Sequence, residues 1–166
     1  MHTVRILNAA ALFIGLYGLT GCCASQDVSS RPDALKQGYE TALQQCQGSE
    51  ESSVAVANAL RDMNLPVDTL QTVLAYHYAR LSVECPQSAS GAYYQALLSL
   101  DAEQRSAYEN DLQLLIEIRT SDAERLQNMQ GVYTDEVPES VRNQIRQQNV
   151  FSAPFHPVRV LERLTE

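Results

Sequence analysis

The chain has 166 residues, of which 45% are hydrophobic, and it contains only seven glycines and six prolines. This composition is sufficient for one folded core and excludes a low-complexity sequence. The formal net charge of −8 disfavours contact with a phosphate backbone, so we expect no nucleic-acid partner.

The N-terminal segment has the pattern of an export signal. Arg5 is the one charged residue before a mostly apolar stretch over residues 6–19. A permanent transmembrane helix needs roughly twenty apolar residues, which this stretch does not reach. A basic start, a short apolar run and small residues before a cleavage site are typical of a secretory signal. We therefore expect residues 1–21 to be a signal peptide.

The end of this segment, Leu19-Thr20-Gly21-Cys22, resembles the lipobox of bacterial lipoproteins. The resemblance implies that the Cys22 sulfur takes a diacylglyceryl group and that a dedicated peptidase cuts before Cys22. The new amino group is then often acylated, with palmitate as the expected fatty acid. Buried acyl chains contribute about 0.8 kcal/mol per methylene, which makes such an anchor stable. An ordinary signal peptide with a chance cysteine, or an uncleaved anchor, is the alternative.

The same resemblance bears on the location of the protein. In lipoproteins an aspartate directly after the lipidated cysteine tends to retain the protein in the inner membrane, whereas Cys23 occupies that position here. This implies the outer membrane, with the protein facing the periplasm. Residues 22–30 are polar and are expected to form a short tether, followed by a single helical domain over residues 31–166.

The pattern of the remaining chain predicts helices. Apolar side chains recur at spacings of three and four, and helix-starting residues and prolines separate the segments. The predicted helical segments are 32–46, 50–63, 67–84, 89–99, 102–119, about 121–129, 138–148 and a terminal amphipathic turn over 158–164. No segment shows the sustained alternation of a strand. We therefore expect an all-α bundle of five to seven helices.

Two further expectations concern how these helices pack. The first three are joined by short loops, which favours up-down-up packing. The segment 102–119 contains the run LQLLIEI, which is apolar nearly all round, and it is therefore expected to be the central and most buried helix. Gly131 is expected to interrupt the helical pattern.

The cysteines predict one disulfide. With Cys22 lipidated, Cys23, Cys46 and Cys85 remain, and an exported compartment permits disulfides. Cys46 and Cys85 each end an apolar helical stripe, and in an up-down-up bundle both lie at the same end. We expect a bridge between them, which leaves Cys23 free, capped or in exchange with that pair.

Motifs for catalysis are absent from the sequence: it contains no GxSxG, GxxxxGK[ST], GxGxxG or HExxH. His2 leaves with the signal peptide, and His77 is expected to be a hydrogen-bonded core residue rather than a base. The carboxylates of residues 101–136 are expected to form a solvated face rather than an acid/base pair or a calcium site. We expect no catalytic residue, no metal and no cofactor apart from the lipid on Cys22.

Aromatic residues supply a candidate binding surface. Tyr93 and Tyr94 are adjacent, and the tail around Phe151, Phe155 and His156 combines aromatic residues with prolines. Such residues are enriched where proteins contact partners. The alternative is that they tie the tail onto the core of its own domain.

Together these features predict a membrane-anchored lipoprotein that acts through contacts with a protein partner as an adaptor, assembly factor or envelope accessory. In architecture it is similar to the pilotin lipoproteins, which are small, helical and disulfide-bonded. A groove or apolar patch between helices would receive a partner helix. One alternative is an inhibitor or immunity protein whose acidic face neutralises a basic toxin. Another is a hydrolase of cell wall or lipid, which would need a polar cleft containing His77 or a carboxylate pair.

Overall fold

The computed structural model describes residues 30–165, and the signal peptide, Cys22 and Cys23 lie outside this range. The described residues form seven helices of nine or more residues and one helix of five residues. They are α1 (Ser30–Gln45), α2 (Glu50–Arg61), α3 (Val67–Glu84), α4 (Gln87–Ser99), α5 (Ala102–Ser106), α6 (Glu109–Glu136), α7 (Glu139–Gln147) and α8 (Pro157–Thr165). Residues 30–165 contain no strand, only an isolated parallel bridge between Ser49 and Phe155. The all-α fold is confirmed.

Helix boundaries follow local chemistry. The Ser49 hydroxyl accepts a hydrogen bond from the Ser52 backbone N–H at 3.0 Å and caps α2. Pro66, Pro86 and Pro138 stand directly before α3, α4 and α7, where a missing backbone N–H costs nothing. Each boundary therefore has a cause in the residues beside it.

The helices enclose two hydrophobic cores that meet along α6. The larger core contains Val56, Ala57, Leu60, Val73, Leu74, Leu81, Tyr133, Val137, Ile145, Val150, Phe151, Phe155 and Val160. The smaller core contains Tyr93, Leu97, Leu100 and Leu115, with Leu35 and Tyr39 of α1 packed against it. Because α6 contributes Leu115 to one core and Tyr133 to the other, it spans both.

The pairing of the helices differs from the predicted up-down-up arrangement of the first three. Instead, α1 packs along α4, α2 along α8, and α3 along α6. The apolar stripe of α1 is covered by Tyr93 and Leu97 of α4, and helices distant in sequence therefore replace the expected neighbours. A stripe shows which face of a helix is buried, but it does not specify the helix that covers it.

The predicted disulfide between Cys46 and Cys85 is confirmed, with the two Cα atoms 5.8 Å apart. Cys46 follows α1, which packs on the smaller core, and Cys85 ends α3, which packs in the larger core. The bridge therefore links the two halves of the domain, although the helix packing that suggested it is different.

The prediction that residues 102–119 form the most buried helix is wrong. In α6 only Leu115 and Tyr133 are buried, whereas the side chains of Leu114 and Ile116 are 54% and 41% exposed. The helix lies at the surface, so neighbouring helices cover one stripe of it. It also continues through Gly131, because a single glycine costs only about 1 kcal/mol and tertiary packing holds the helix on both sides.

Candidate functional site

The five residues of the predicted aromatic binding surface do not lie together at the surface. Tyr93, Phe151 and Phe155 are buried, with 2%, 5% and 1% of their surface exposed. The expectation is corrected for these three, since buried rings cannot form an exposed binding face. Only Tyr94, which is half-buried, and His156, which is exposed, remain accessible.

The tail packs on its own domain, which was the alternative interpretation of its aromatic residues. The Phe151 and Phe155 rings contact each other, with centroids 5.2 Å apart. The backbone N–H of His156 donates a hydrogen bond to the Ser53 hydroxyl at 2.9 Å. Burial of large aromatic side chains is strongly favourable. The tail is therefore a structural element of the larger core.

Tyr93 anchors the smaller core through a polar contact. Its hydroxyl donates a hydrogen bond to the Asp111 carboxylate, which also accepts one from the Lys36 ammonium at 2.8 Å. Burial, and then this bond, raise the pKa of Tyr93, while the bonds from Lys36 and Tyr93 lower the pKa of Asp111. The contacts connect α1, α4 and α6, so Asp111 has a structural position here.

His77 lies inside a cluster of aromatic rings. Its imidazole stacks on Phe151 with centroids 4.0 Å apart, and its Nε2 atom lies 3.3 Å from the Tyr133 hydroxyl. Burial, with the positive charge of Arg80 as the second cause, lowers the pKa of His77 to about 3. The imidazole is therefore neutral at pH 7. The expectation of a hydrogen-bonded core histidine is confirmed.

A groove of about 230 Å³ lies between α1, α6 and the junction of α3 and α4. We call it the α1–α6 groove, and its apolar lining consists of Tyr39, Leu43, Val83, Pro86, Leu115, Ile118 and Ala123. The side chains of Leu43 and Ile118 are 42% and 36% exposed, although both are apolar. Leu114 lies one helical turn before Ile118 and extends the exposed apolar surface. The groove is thus an uncovered apolar site between helices.

Polar side chains border the groove. Arg119 and Asp122 of α6 line one side, and Gln87 and Ser90 of α4 line another. The Arg119 guanidinium lies over the Tyr94 ring, 5.4 Å from its centroid. An apolar centre with a polar rim is the usual anatomy of a protein-binding site.

Sequence reasoning missed this groove because each of its apolar residues also fits a helical stripe. One signal was available: Leu114 and Ile116 lie off the inward stripe that contains Leu112 and Leu115. Apolar residues in excess of one stripe predict that some of them stay exposed, but periodicity alone does not locate the groove.

Comparison of the chain with protein-family models, curated proteins and solved structures found no match. Within residues 30–165, no helix is long and apolar enough to cross a membrane. That part of the chain also holds no group of three or more His, Cys, Asp or Glu side chains placed to bind a metal ion.

Proposed function

We propose that this protein is an envelope lipoprotein, anchored through Cys22, whose helical domain binds a protein partner in the α1–α6 groove. The lipobox-like sequence before Cys22 supports the anchor. The disulfide between Cys46 and Cys85 is consistent with an oxidising compartment outside the cytoplasm. The presence of Cys23 rather than aspartate favours the periplasmic face of the outer membrane.

The observation that carries the binding function is the exposure of Leu43 and Ile118 in the lining of one groove. Single exposed apolar side chains are common on protein surfaces, but these two come from different helices and line the same groove. Full burial of a leucine or isoleucine side chain contributes roughly 1.5–3 kcal/mol. A partner that covers this surface would therefore gain affinity from side chains that the domain itself leaves in water.

The expected occupant is an amphipathic segment of the partner. Its apolar face would pack on the groove, as when a helix lies in a hydrophobic groove. Its polar face is expected to carry basic residues, because the net charge of this chain is −8 and complementary charge favours association. An adaptor or assembly role at the membrane follows from such binding.

Photo-crosslinking in intact cells tests this function. A photoreactive residue at position 43 or 118 should capture one and the same partner. Ile116 supplies the control position: it lies on the same helix, its side chain is 41% exposed, and it does not line the groove. A residue placed there should not capture that partner.

Two charge substitutions distinguish specific binding from capture by random collision. Ile118→Glu places a charge in the apolar groove and should abolish capture from position 43, whereas Ile116→Glu should leave it intact. Equal capture from positions 116 and 118, or no capture from either position 43 or position 118, would show that the groove is not a binding site.

A further inference from the structure

A second cavity, of about 450 Å³, lies between α3, α6, α7 and the turn that follows α7. It shares no residue with the α1–α6 groove, so an inference about it stands independently of the function proposed above. Its volume is within the range of about 300–1,000 Å³ that is usual for small-molecule sites. We call it the arginine pocket, because Arg80, Arg142 and Arg146 line it.

The concentration of positive charge in this pocket contrasts with the acidic chain. Arg80 is paired with Glu84, their nearest atoms 2.6 Å apart. Arg142 donates a hydrogen bond to the backbone carbonyl of Thr134 at 2.7 Å. Within residues 30–165, neither Arg142 nor Arg146 forms an ion pair with a carboxylate. Two guanidinium groups are therefore available for an anion.

Tyr133 lines the pocket together with the three arginines. Burial raises the pKa of Tyr133, and the positive charges of Arg142, Arg146 and Arg80 act in the opposite direction. Among the described residues, Glu139 is the one acidic residue that lines the pocket. With Arg80 neutralised by Glu84, two positive charges and one negative charge remain, which matches a ligand with a single negative charge.

The wall of the pocket is aromatic and closely packed. Tyr76 and Tyr133 stack with ring centroids 4.3 Å apart, and His77 stacks on Phe151 beside them. Asn149 lies in the turn after α7 and has a positive φ of 49°, a conformation that asparagine tolerates, and this turn leads to Phe151. Because His77 and Tyr133 are buried, the half-buried ring of Tyr76 supplies the apolar surface next to the guanidinium groups.

We propose that the arginine pocket binds the carboxylate of a ligand that carries a planar or apolar group next to that carboxylate. Arg142 and Arg146 hold the carboxylate, because the guanidinium fork matches its two oxygens. The half-buried ring of Tyr76, which stacks on Tyr133, packs against the adjoining group. The carboxylate belongs either to a small organic acid or to the C-terminus of a polypeptide.

Nuclear magnetic resonance tests the proposal on the full-length protein in uncharged detergent micelles, with sodium benzoate as the probe. Benzoate should give saturable shifts at the side-chain N–H groups of Arg142 and Arg146. Arg146→Gln should weaken binding on the order of tenfold, the value for one charge-assisted hydrogen bond at an exposed arginine. Arg125→Gln is the matched control: it removes one positive charge from α6 outside the pocket and should leave the affinity unchanged.

Further probes distinguish the two sources of the carboxylate. N-acetylphenylalanine represents a polypeptide C-terminus, and its amide represents the same group without the charge. Tighter binding of this acid than of benzoate, with none by the amide, identifies a C-terminus as the ligand. Binding of benzoate alone identifies a small organic acid, and both results support the proposal.

Three results would overturn it. One is equal binding of benzoate and its neutral analogue benzamide, which would show that the pocket binds the apolar ring and not the carboxylate. Another is unchanged benzoate affinity in both Arg146→Gln and Arg142→Gln. The third is displacement of benzoate by inorganic phosphate at lower concentrations, which would show that the pocket prefers a phosphate.

Discussion

Removal of the disulfide is the perturbation whose magnitude follows most directly from the structure. Cys46 and Cys85 are separated by 39 positions, and closing such a loop stabilises a fold by about 4 kcal/mol in the chain-entropy model. The double variant Cys46→Ala/Cys85→Ala should lose this amount of unfolding free energy. With a urea dependence of roughly 2 kcal/mol per molar, the unfolding midpoint should fall by about 2 M.

Equilibrium urea unfolding, followed by circular dichroism, measures this loss. Cys23→Ala is the control, since Cys23 lies outside the bridge and its replacement should leave the midpoint unchanged. Reduction of the unmodified protein with dithiothreitol should reproduce the shift of the double variant. A double variant within about 1 kcal/mol of the parent would refute the loop-entropy reasoning.

Three further predictions concern Gly48, His77 and helix α6. Gly48→Ala should destabilise the fold by at least about 2 kcal/mol in urea unfolding, because Gly48 has a φ of +96° and an added Cβ would lie 2.7 Å from the Phe155 backbone. Stability should fall by about 2 kcal/mol from pH 7 to pH 5, since unfolded His77 takes up a proton below pH 6.5 and buried His77 does so only near pH 3. His77→Phe should remove most of that pH dependence. If the unfolding free energy of this variant changed with pH as much as that of the parent, His77 would not be its cause. Leu115→Ala should lower the unfolding free energy by about 2–5 kcal/mol in urea unfolding, and Leu114→Ala should lower it by less than about 0.5 kcal/mol. Equal losses for the two variants would contradict the surface position of α6.

Features determined by neighbouring residues were predictable from the sequence. The bounds of α3 at Val67 and Glu84 agree with the prediction, because Pro66 and Pro86 flank the helix. The pairing of Cys46 with Cys85 was predicted correctly, but from an up-down-up arrangement that the structure does not have. Local chemistry therefore decides where such a helix begins and ends, whereas the bridge depends on the tertiary fold.

Features determined by distant residues were not predictable. The apolar run around Leu115 shows that α6 has more apolar residues than one buried face needs, but not which of them stay exposed. The arginine pocket joins Arg80 of α3 to Arg146 of α7, and nothing in either local sequence indicates that they meet. Both candidate sites depend on helix pairings that a single sequence does not specify.

The proposal that this domain works at a membrane surface depends on the lipid at Cys22, and the mass of the native protein tests it most directly. Protein isolated from the membranes of its own cells should begin at Cys22 and carry the added mass of a diacylglyceryl group and a fatty acid. Cys22→Ser should release the protein from membranes, whereas Cys23→Ser should leave it attached. A native protein that retains Met1, or a shortened one without acyl mass, would contradict the account.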